Sequence, residues 1–185
     1  MTDDDKLRAV TIGELKPYSA KVVIEDYNPL WPTWFADDRA LILSACPTAL
    51  SVEHTGSTSV PGLPAKPIID ILLQVPDSAD ETSYVPQLEA VGLTLRIREP
   101  EEMEHRVLYR RGAPHDVNVH VYSPVHAASE IARVLGFRDW LRTHDDDRDR
   151  YAATKRELSK KDWKFVQNYA DAKTAIIEEI IAKTL

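Results

Sequence analysis

The chain has 185 residues, with 23 Lys or Arg against 30 Asp or Glu, and its formal net charge is −7. That length suits one domain with its own core, and the acidic balance argues against a broad basic surface for nucleic acid. Because Cys46 is the single cysteine, an internal disulfide and a zinc site built on several thiolates are excluded.

No apolar stretch approaches the roughly 20 residues that a membrane-spanning helix needs. The start of the chain, MTDDDKLRAV, is acidic where a secretory signal would be basic and then apolar. We therefore expect a cytoplasmic protein without a membrane partner. Residues 1–21 carry little hydrophobic periodicity and are expected to form an N-terminal arm.

Residues 27–45 place Trp31, Trp34, Phe35 and Ile42 at helical spacing, which predicts an amphipathic helix whose aromatic face packs inward. Alternation over 49–54 then predicts a strand. The apolar run IIDILLQV, residues 68–75, predicts a strand covered on both faces.

Residues 83–91 are weakly helical, and residues 91–98 and 105–110 are expected to form two further strands that can pair. In residues 116–123 every second position is Val, so one face packs while Asn118 and His120 share the opposite, polar face. The chain turns helical from about residue 127 onward. The expected fold is α+β, a small mixed β-sheet flanked by helices, with a C-terminal helical cluster.

The stretch HTGSTSVPGLPAKPIIDILL, residues 54–73, combines a glycine-rich polar loop with the apolar strand. Glycine allows backbone N–H groups to approach phosphate oxygens closely. The loop is not a Walker loop, because Leu63 follows Gly62 where that motif has lysine. It also lacks the final glycine of an esterase nucleophile elbow. A phosphate site and a plain turn both remain open at this point.

Asp70 lies in the middle of the apolar strand, where an ionised carboxylate is costly unless it is paired or bound to a metal. One interpretation is an ion pair with Lys66 or an arginine, and the other is a magnesium ligand. His54 and His120 are each candidates for the site or for hydrogen-bonded scaffold. The acidic run HDDDRDR, residues 144–150, lacks the glycine of a calcium loop and is expected to start a helix.

Several segments together resemble the GrpB family of bacterial proteins, which is assigned to the nucleotidyltransferase superfamily. They occur in the family's order across about residues 22–185 and are YNPLWPTWF, EHTGSTSVPGLPAKPIIDILL, HRVLY, NVHVYS, FRDWLRTH, YAATKREL and YADAKTAIIEEII. The resemblance implies a nucleotidyltransferase-like domain over residues 22–185. Its members look alike in a Gly-Ser turn that holds phosphates and in carboxylates that hold magnesium for in-line displacement.

The family pattern maps onto this chain with one carboxylate missing. The Gly-Ser turn is Gly56-Ser57 and the strand carboxylate is Asp70, but Ile68 and Leu72 stand where its companion would be. The third carboxylate would be expected on the strand face that holds Asn118 and His120, so the two-metal set is incomplete in this chain. One magnesium ion held by Asp70, Asn118 or His120 together with a nucleotide is chemically reasonable.

The predicted site residues fall into four groups by role. Catalytic candidates are Ser57, Asp70 and His120; phosphate-binding candidates are Gly56, Ser57, Thr58, Ser59, Lys66, Arg106 and Lys155; metal candidates are Asp70, Asn118 and His120; and His54 is a further pocket candidate. Arg138 and Lys173 are additional cations within family-like segments.

The sequence leaves three functions open. The first is transfer of a nucleotidyl group from ATP or GTP, with Mg²⁺, to an unknown small-molecule or protein acceptor. The second is a non-catalytic nucleotide-binding or regulatory, chaperone-like module, because GrpB-like domains also occur fused to dephospho-coenzyme A kinase. The third is a hydrolase or ligase site, on the polar strand face, that is unrelated to nucleotides.

Overall fold

A computed structural model describes residues 3–15 and 21–184. Within those residues the chain forms one five-stranded sheet in the order β1-β2-β5-β4-β3. Neighbouring strands are antiparallel except β2 and β5, which are parallel. The sheet is therefore mixed, as expected. The strands are β1 (Ser51–Thr55), β2 (Ile68–Gln74), β3 (Thr94–Glu99), β4 (His105–Arg110) and β5 (Asp116–Tyr122).

Helices flank the sheet. The last four elements of the chain are all helices, and three of them share a small core, which confirms the predicted C-terminal helical cluster. The helices are α1 (Asp3–Val10), α2 (Trp31–Ala45), α3 (Val85–Ala90), α4 (Pro124–Thr143), α5 (Asp145–Ser159), α6 (Val166–Asp171) and α7 (Thr174–Ile181). Leu141, Tyr151 and Ile180, from three of these helices, pack together with Leu63 of the glycine-rich loop.

One face of the sheet forms the main core beneath α2 and α3. Alternate residues of β2 and β5, including Ile69, Ile71, Val117 and Val119, are buried there with Trp31 of α2. Fully burying each such aliphatic side chain contributes about 1.5–3 kcal/mol. The residues between them face the other way, as a period of two requires.

The predicted helix over 27–45 begins later than expected. The Asn28 side chain accepts a hydrogen bond from the Leu30 backbone N–H at 2.9 Å, and the helix starts at Trp31. An Asx turn therefore occupies the first residues. Trp34 and Phe35 are half-buried and stack on His115 and His54, so the aromatic face packs as predicted.

The expected N-terminal arm lies partly outside the described residues, which omit 1, 2 and 16–20. Its described part contains α1, followed by a bridge between Thr11 and Ile97 at the β3 edge of the sheet. The Ile12 N–H also donates to the Arg96 carbonyl at 2.8 Å. The arm thus covers backbone groups of an edge strand.

Candidate functional site

The second face of the sheet is the floor of a cleft of about 1060 Å³. Every second residue of β2, β4 and β5 lines it, and α1, α5, α6 and α7 contribute to the walls. The volume is slightly above the range typical of small-molecule sites. The side chains that β2, β4 and β5 bring to the floor are Ile68, Asp70, Leu72, His105, Val107, Tyr109, Asn118, His120 and Tyr122.

Gly56 joins β1 to the cleft in a conformation that suits glycine alone. Its backbone has φ 64° and ψ −172°, a region essentially restricted to glycine. A Cβ atom at this position would lie 2.4 Å from Asp70 Oδ2. The loop therefore passes directly over the Asp70 carboxylate, and position 56 leaves no room for a side chain.

The hydroxyl groups of the glycine-rich loop have different partners. Thr58 Oγ1 donates to the Ile68 carbonyl at 3.2 Å, and Ser59 Oγ donates to the Gly56 carbonyl at 2.6 Å. Ser57 Oγ instead accepts from Lys155 Nζ at 2.8 Å, on the cleft side. Thr58 and Ser59 thus bond to backbone carbonyls that shape the turn, whereas the Ser57 hydroxyl bonds to a lysine of the cleft.

Asp70 and Asn118 lie opposite each other on the paired strands β2 and β5. Asn118 Nδ2 donates to Asp70 Oδ1 at 2.7 Å, and Asn118 Oδ1 accepts from Arg111 Nη2 at 2.6 Å. Burial raises the pKa of Asp70, while the Asn118 hydrogen bond and nearby cations lower it. Its side chain is 29% exposed, so it can still meet a ligand in the cleft.

Four of the basic side chains that line the cleft interact electrostatically with Asp70, and they are Lys66, Arg111, Lys155 and Lys173. Burial lowers the pKa of Lys155 to about 6, and it also lowers the pKa values of Lys66 and Lys173. Burial disfavours the charged form of these amines, and an anion bound beside them would favour it again. This end of the cleft therefore favours a polyanion despite the acidic balance of the whole chain.

A second chain of contacts approaches Asp70 from β3 and β4. Glu99 Oε2 lies 2.7 Å from His105 Nδ1, and His105 Nε2 lies 3.1 Å from His120 Nδ1. His120 Nε2 is then 4.0 Å from Asp70 Oδ1. Burial and the neighbouring His105 lower the pKa of His120 to about 3. Because His120 Nδ1 contacts His105, the ring is held with Nε2 toward the Asp70 carboxylate.

Three cationic or histidine candidates do not line the cleft. Arg106 lies on the opposite face of β4 from His105 and Val107, where it pairs with Glu81 at 2.6 Å. The alternation of side chains along a strand explains this misplacement. His54 lies behind the loop, 3.0 Å from Thr58 Oγ1, and Arg138 binds the His54 carbonyl. The candidate Ser59 also falls outside the cleft lining.

Sequence reasoning missed several contributors to the cleft, among them Glu99, His105, Arg111 and Tyr109. Arg111 lies over the Tyr109 ring at 4.2 Å, and His105 stacks on Tyr122 at 4.5 Å. Glu99 and His105 are directly paired across β3 and β4. The sequence predicts that these two strands pair, but it does not predict which residues lie opposite each other.

The donors near Asp70 suit magnesium only in company with phosphates. Within the described ranges, no group of three or more His, Cys, Asp or Glu side chains is placed to hold a metal. Asn118 Oδ1 already accepts a hydrogen bond from Arg111, so Asp70 is the remaining carboxylate or amide oxygen donor among the predicted metal ligands. One carboxylate plus phosphate oxygens is an ordinary magnesium set, whereas the surrounding cations disfavour a bare dication.

Comparison with known proteins gives a consistent result. The family model described as GrpB protein matches residues 21–183. UPF0157 protein BH1888 of the bacterium Halalkalibacterium halodurans is 55% identical over 181 residues, which cover 97% of this chain and 91% of that protein.

Among the residues that the structure describes, no helix is long and apolar enough to cross a membrane.

Two solved structures were also compared. The crystal structure of the conserved protein GrpB from Enterococcus faecalis has a TM-score of 0.77 at 29% identity, covering 88% of this chain and 96% of that one. A Cid1 poly (U) polymerase mutant bound to MgATP has a TM-score of 0.43 at 11% identity, covering 72% of this chain and 45% of that one. The similarity to the polymerase is too low to support an assignment of fold or of function.

Proposed function

This chain belongs to the GrpB family, and we propose that it binds a nucleoside triphosphate, ATP or GTP, with Mg²⁺ and transfers the nucleotidyl group to an acceptor. The single observation that carries the proposal is the convergence of the Ser57 turn and four basic side chains around Asp70. Triphosphates need several such donors at once, and this cleft supplies them within a chain that is acidic as a whole.

The phosphates would occupy the basic end of the cleft. Lys155 and Ser57 already form one hydrogen bond there, and Lys173 and Lys66 face the same carboxylate. Tyr169 adds a buried hydroxyl that has no hydrogen-bond partner among the described residues and lies in the same wall. A buried polar atom left unsatisfied costs about 1–3 kcal/mol, so a phosphate oxygen that accepts from it would relieve that cost.

The transfer step follows from this placement. An acceptor oxygen would attack the α-phosphorus in line, forming an oxygen–phosphorus bond while the bond to the bridging α,β oxygen breaks. The leaving pyrophosphate takes the bonding electron pair, and the acceptor's proton passes to water, because the lowered pKa of His120 makes its ring a weak base. Magnesium held by Asp70 and phosphate oxygens would supply charge neutralisation for the leaving group. Lys155, Lys173 and Lys66 would neutralise the remaining phosphate charge.

The test is calorimetry and thermal shift with several nucleotides, with and without magnesium. We expect Lys155→Met to weaken nucleotide binding in either condition, and Asp70→Asn to remove its magnesium dependence. Lys160→Met and Asp26→Asn are matched controls, because both side chains are exposed outside the cleft. Absence of heat and of a thermal shift with every nucleotide would contradict the proposal.

A non-catalytic nucleotide-binding module is the second candidate, favoured by the missing carboxylate. Ile68 and Leu72 line the cleft on either side of Asp70, and both are buried and apolar. A second metal therefore has no carboxylate at either position. If nucleotide binds but isotope-labelled nucleotide yields no transferred product with any acceptor tested, the binding module is the better description.

A further inference from the structure

The far end of the cleft has the opposite charge. A side pocket of about 410 Å³ opens there, and all of its lining residues except Met103 also line the main cleft. It contains the carboxylates of Glu99, Glu102 and Glu130 against one cation, Arg133. The cleft thus runs from a basic end near Ser57 to an acidic end near Glu102.

The acidic pocket also holds a polar group that lacks a partner. Tyr122 is 8% exposed and lines the pocket, and its hydroxyl makes no hydrogen bond within the described ranges. Burial raises the pKa of this hydroxyl, and Glu130, Glu99 and Glu102 raise it further. Since all three carboxylates line the pocket, the hydroxyl itself lies among them.

The three carboxylates are only partly neutralised by their partners, so the pocket keeps net negative charge that can attract a ligand. Glu130 binds Arg133 through two hydrogen bonds of 2.6 Å, and Glu99 binds His105. The Glu102 carboxylate makes no ion pair or hydrogen bond among the described residues. A ligand with an N–H-rich cation would donate to Glu102 and Glu99 and to the oxygen of Tyr122.

We infer that this pocket binds a primary ammonium group of a small organic acceptor, while the nucleotide occupies the basic end. The inference rests on the proposed function, because it names the class of acceptor for the same site. The pocket volume suits a small molecule. The anchored ammonium has no free electron pair, so a hydroxyl elsewhere on the acceptor is the nucleophile.

The position of the pocket supports this division of the cleft. Glu99 and His105 link the acidic pocket to His120, and His120 Nε2 lies 4.0 Å from Asp70 Oδ1. An acceptor anchored beside Tyr122 would extend along this row of side chains toward Asp70. The opposite charges of the two ends would also favour nucleotide and acceptor in separate subsites.

The test is an NMR titration of the nucleotide-free protein with putrescine, a four-carbon diamine, and with butanediol of the same length. We expect putrescine to shift the signals of His105 and Tyr122, and butanediol to leave them unchanged. Glu102→Gln with Glu130→Gln should weaken putrescine binding about tenfold, because the first change removes a charged acceptor and the second leaves the positive charge of Arg133 unbalanced in the pocket. Glu157→Gln, exposed and outside the cleft, is the charge-matched control.

Other outcomes overturn the inference. Equal shifts with butanediol, no shift with putrescine, or unchanged binding in Glu102→Gln and in the double variant would each do so. Glu102→Gln by itself removes an exposed loop carboxylate, so its result does not depend on the ion pair of Glu130. Putrescine binding without any nucleotide binding would support the ammonium pocket but contradict nucleotidyl transfer. Nucleotide binding without putrescine binding would contradict only the ammonium pocket.

Discussion

Gly56 lies so close to the Asp70 carboxylate that a Cβ atom on residue 56 would be 2.4 Å from Oδ2. The two residues come from different segments, the turn after β1 and the middle of β2. Their contact couples the Gly-Ser turn to the carboxylate, because neither can shift without displacing the other. The Gly-Ser turn and the strand aspartate therefore form one structural unit.

Gly56→Ala should destabilise the protein by about 2–4 kcal/mol, since strain at a glycine-only backbone conformation adds to a steric overlap with Asp70. Gly92→Ala is the matched control, because Gly92 has φ +90° but nothing within 4 Å of an added Cβ. We expect the control to lose about 1–2 kcal/mol. Urea unfolding measures both free energies, and equal losses would show that the Asp70 contact contributes nothing.

Asp38→Ala should cost about 3–5 kcal/mol, because it leaves buried polar partners without their anion. Asp38 is 4% exposed and lies 2.6 Å from Arg110 Nη2 and 2.7 Å from His115 Nε2. This cluster ties α2 to the sheet on the core side. Asp26→Ala removes an exposed ion pair with Arg156 and should cost under about 1 kcal/mol. Similar urea midpoints for the two variants would contradict the prediction.

His54 should make stability fall in mild acid. Burial, Arg142 and Arg138 lower its pKa from 6.5 to about 4. The unfolded chain therefore binds a proton on His54 before the folded chain does, so this contribution is complete above pH 6.5 and is lost as pH falls toward 4. The loss is about 3 kcal/mol by linkage.

The variant His54→Gln separates this effect from the titration of carboxylates. Glutamine can still hydrogen-bond Thr58 but does not titrate, so the difference in unfolding free energy between parent and variant should narrow as pH falls. Urea unfolding at a series of pH values gives that difference. A constant difference across the range would show that His54 is not responsible.

Nucleotide binding should take up protons through Lys155. Burial lowers the pKa of this amine to about 6, so it is largely neutral at pH 8. A triphosphate beside it would favour the charged form and raise its pKa, which predicts uptake of up to about one proton per nucleotide. Calorimetry at that pH in buffers of different ionisation enthalpy measures the uptake.

The control for this prediction is Lys155→Met, which should abolish the proton uptake attributed to Lys155, whereas Lys160→Met should retain it. Lys160 is exposed and pairs with Glu157 at the end of α5. Nucleotide binding by the parent protein with no proton uptake would mean that Lys155 does not meet the phosphates.

Patterns of residues close together in the chain determine much of this protein by themselves. The alternation of Val117, Val119 and Val121 with Asn118 and His120 identifies the buried and the polar face of β5, because successive side chains of a strand point to opposite faces. The apolar run around Asp70 likewise identifies a strand covered on both sides. The family resemblance points to the Gly56-Ser57 turn and to the absent companion carboxylate.

Only the tertiary structure decided which distant groups share the cleft. Lys155 is 98 residues from Ser57 and reaches it because α5 packs over the glycine-rich loop. His105 meets His120 through the pairing of β4 with β5, whose register no local pattern specifies. The sequence suggests Arg106 as a phosphate ligand, but this residue lies on the other face of its strand. Local periodicity determines which way a side chain points, whereas strand order and helix docking determine what it meets.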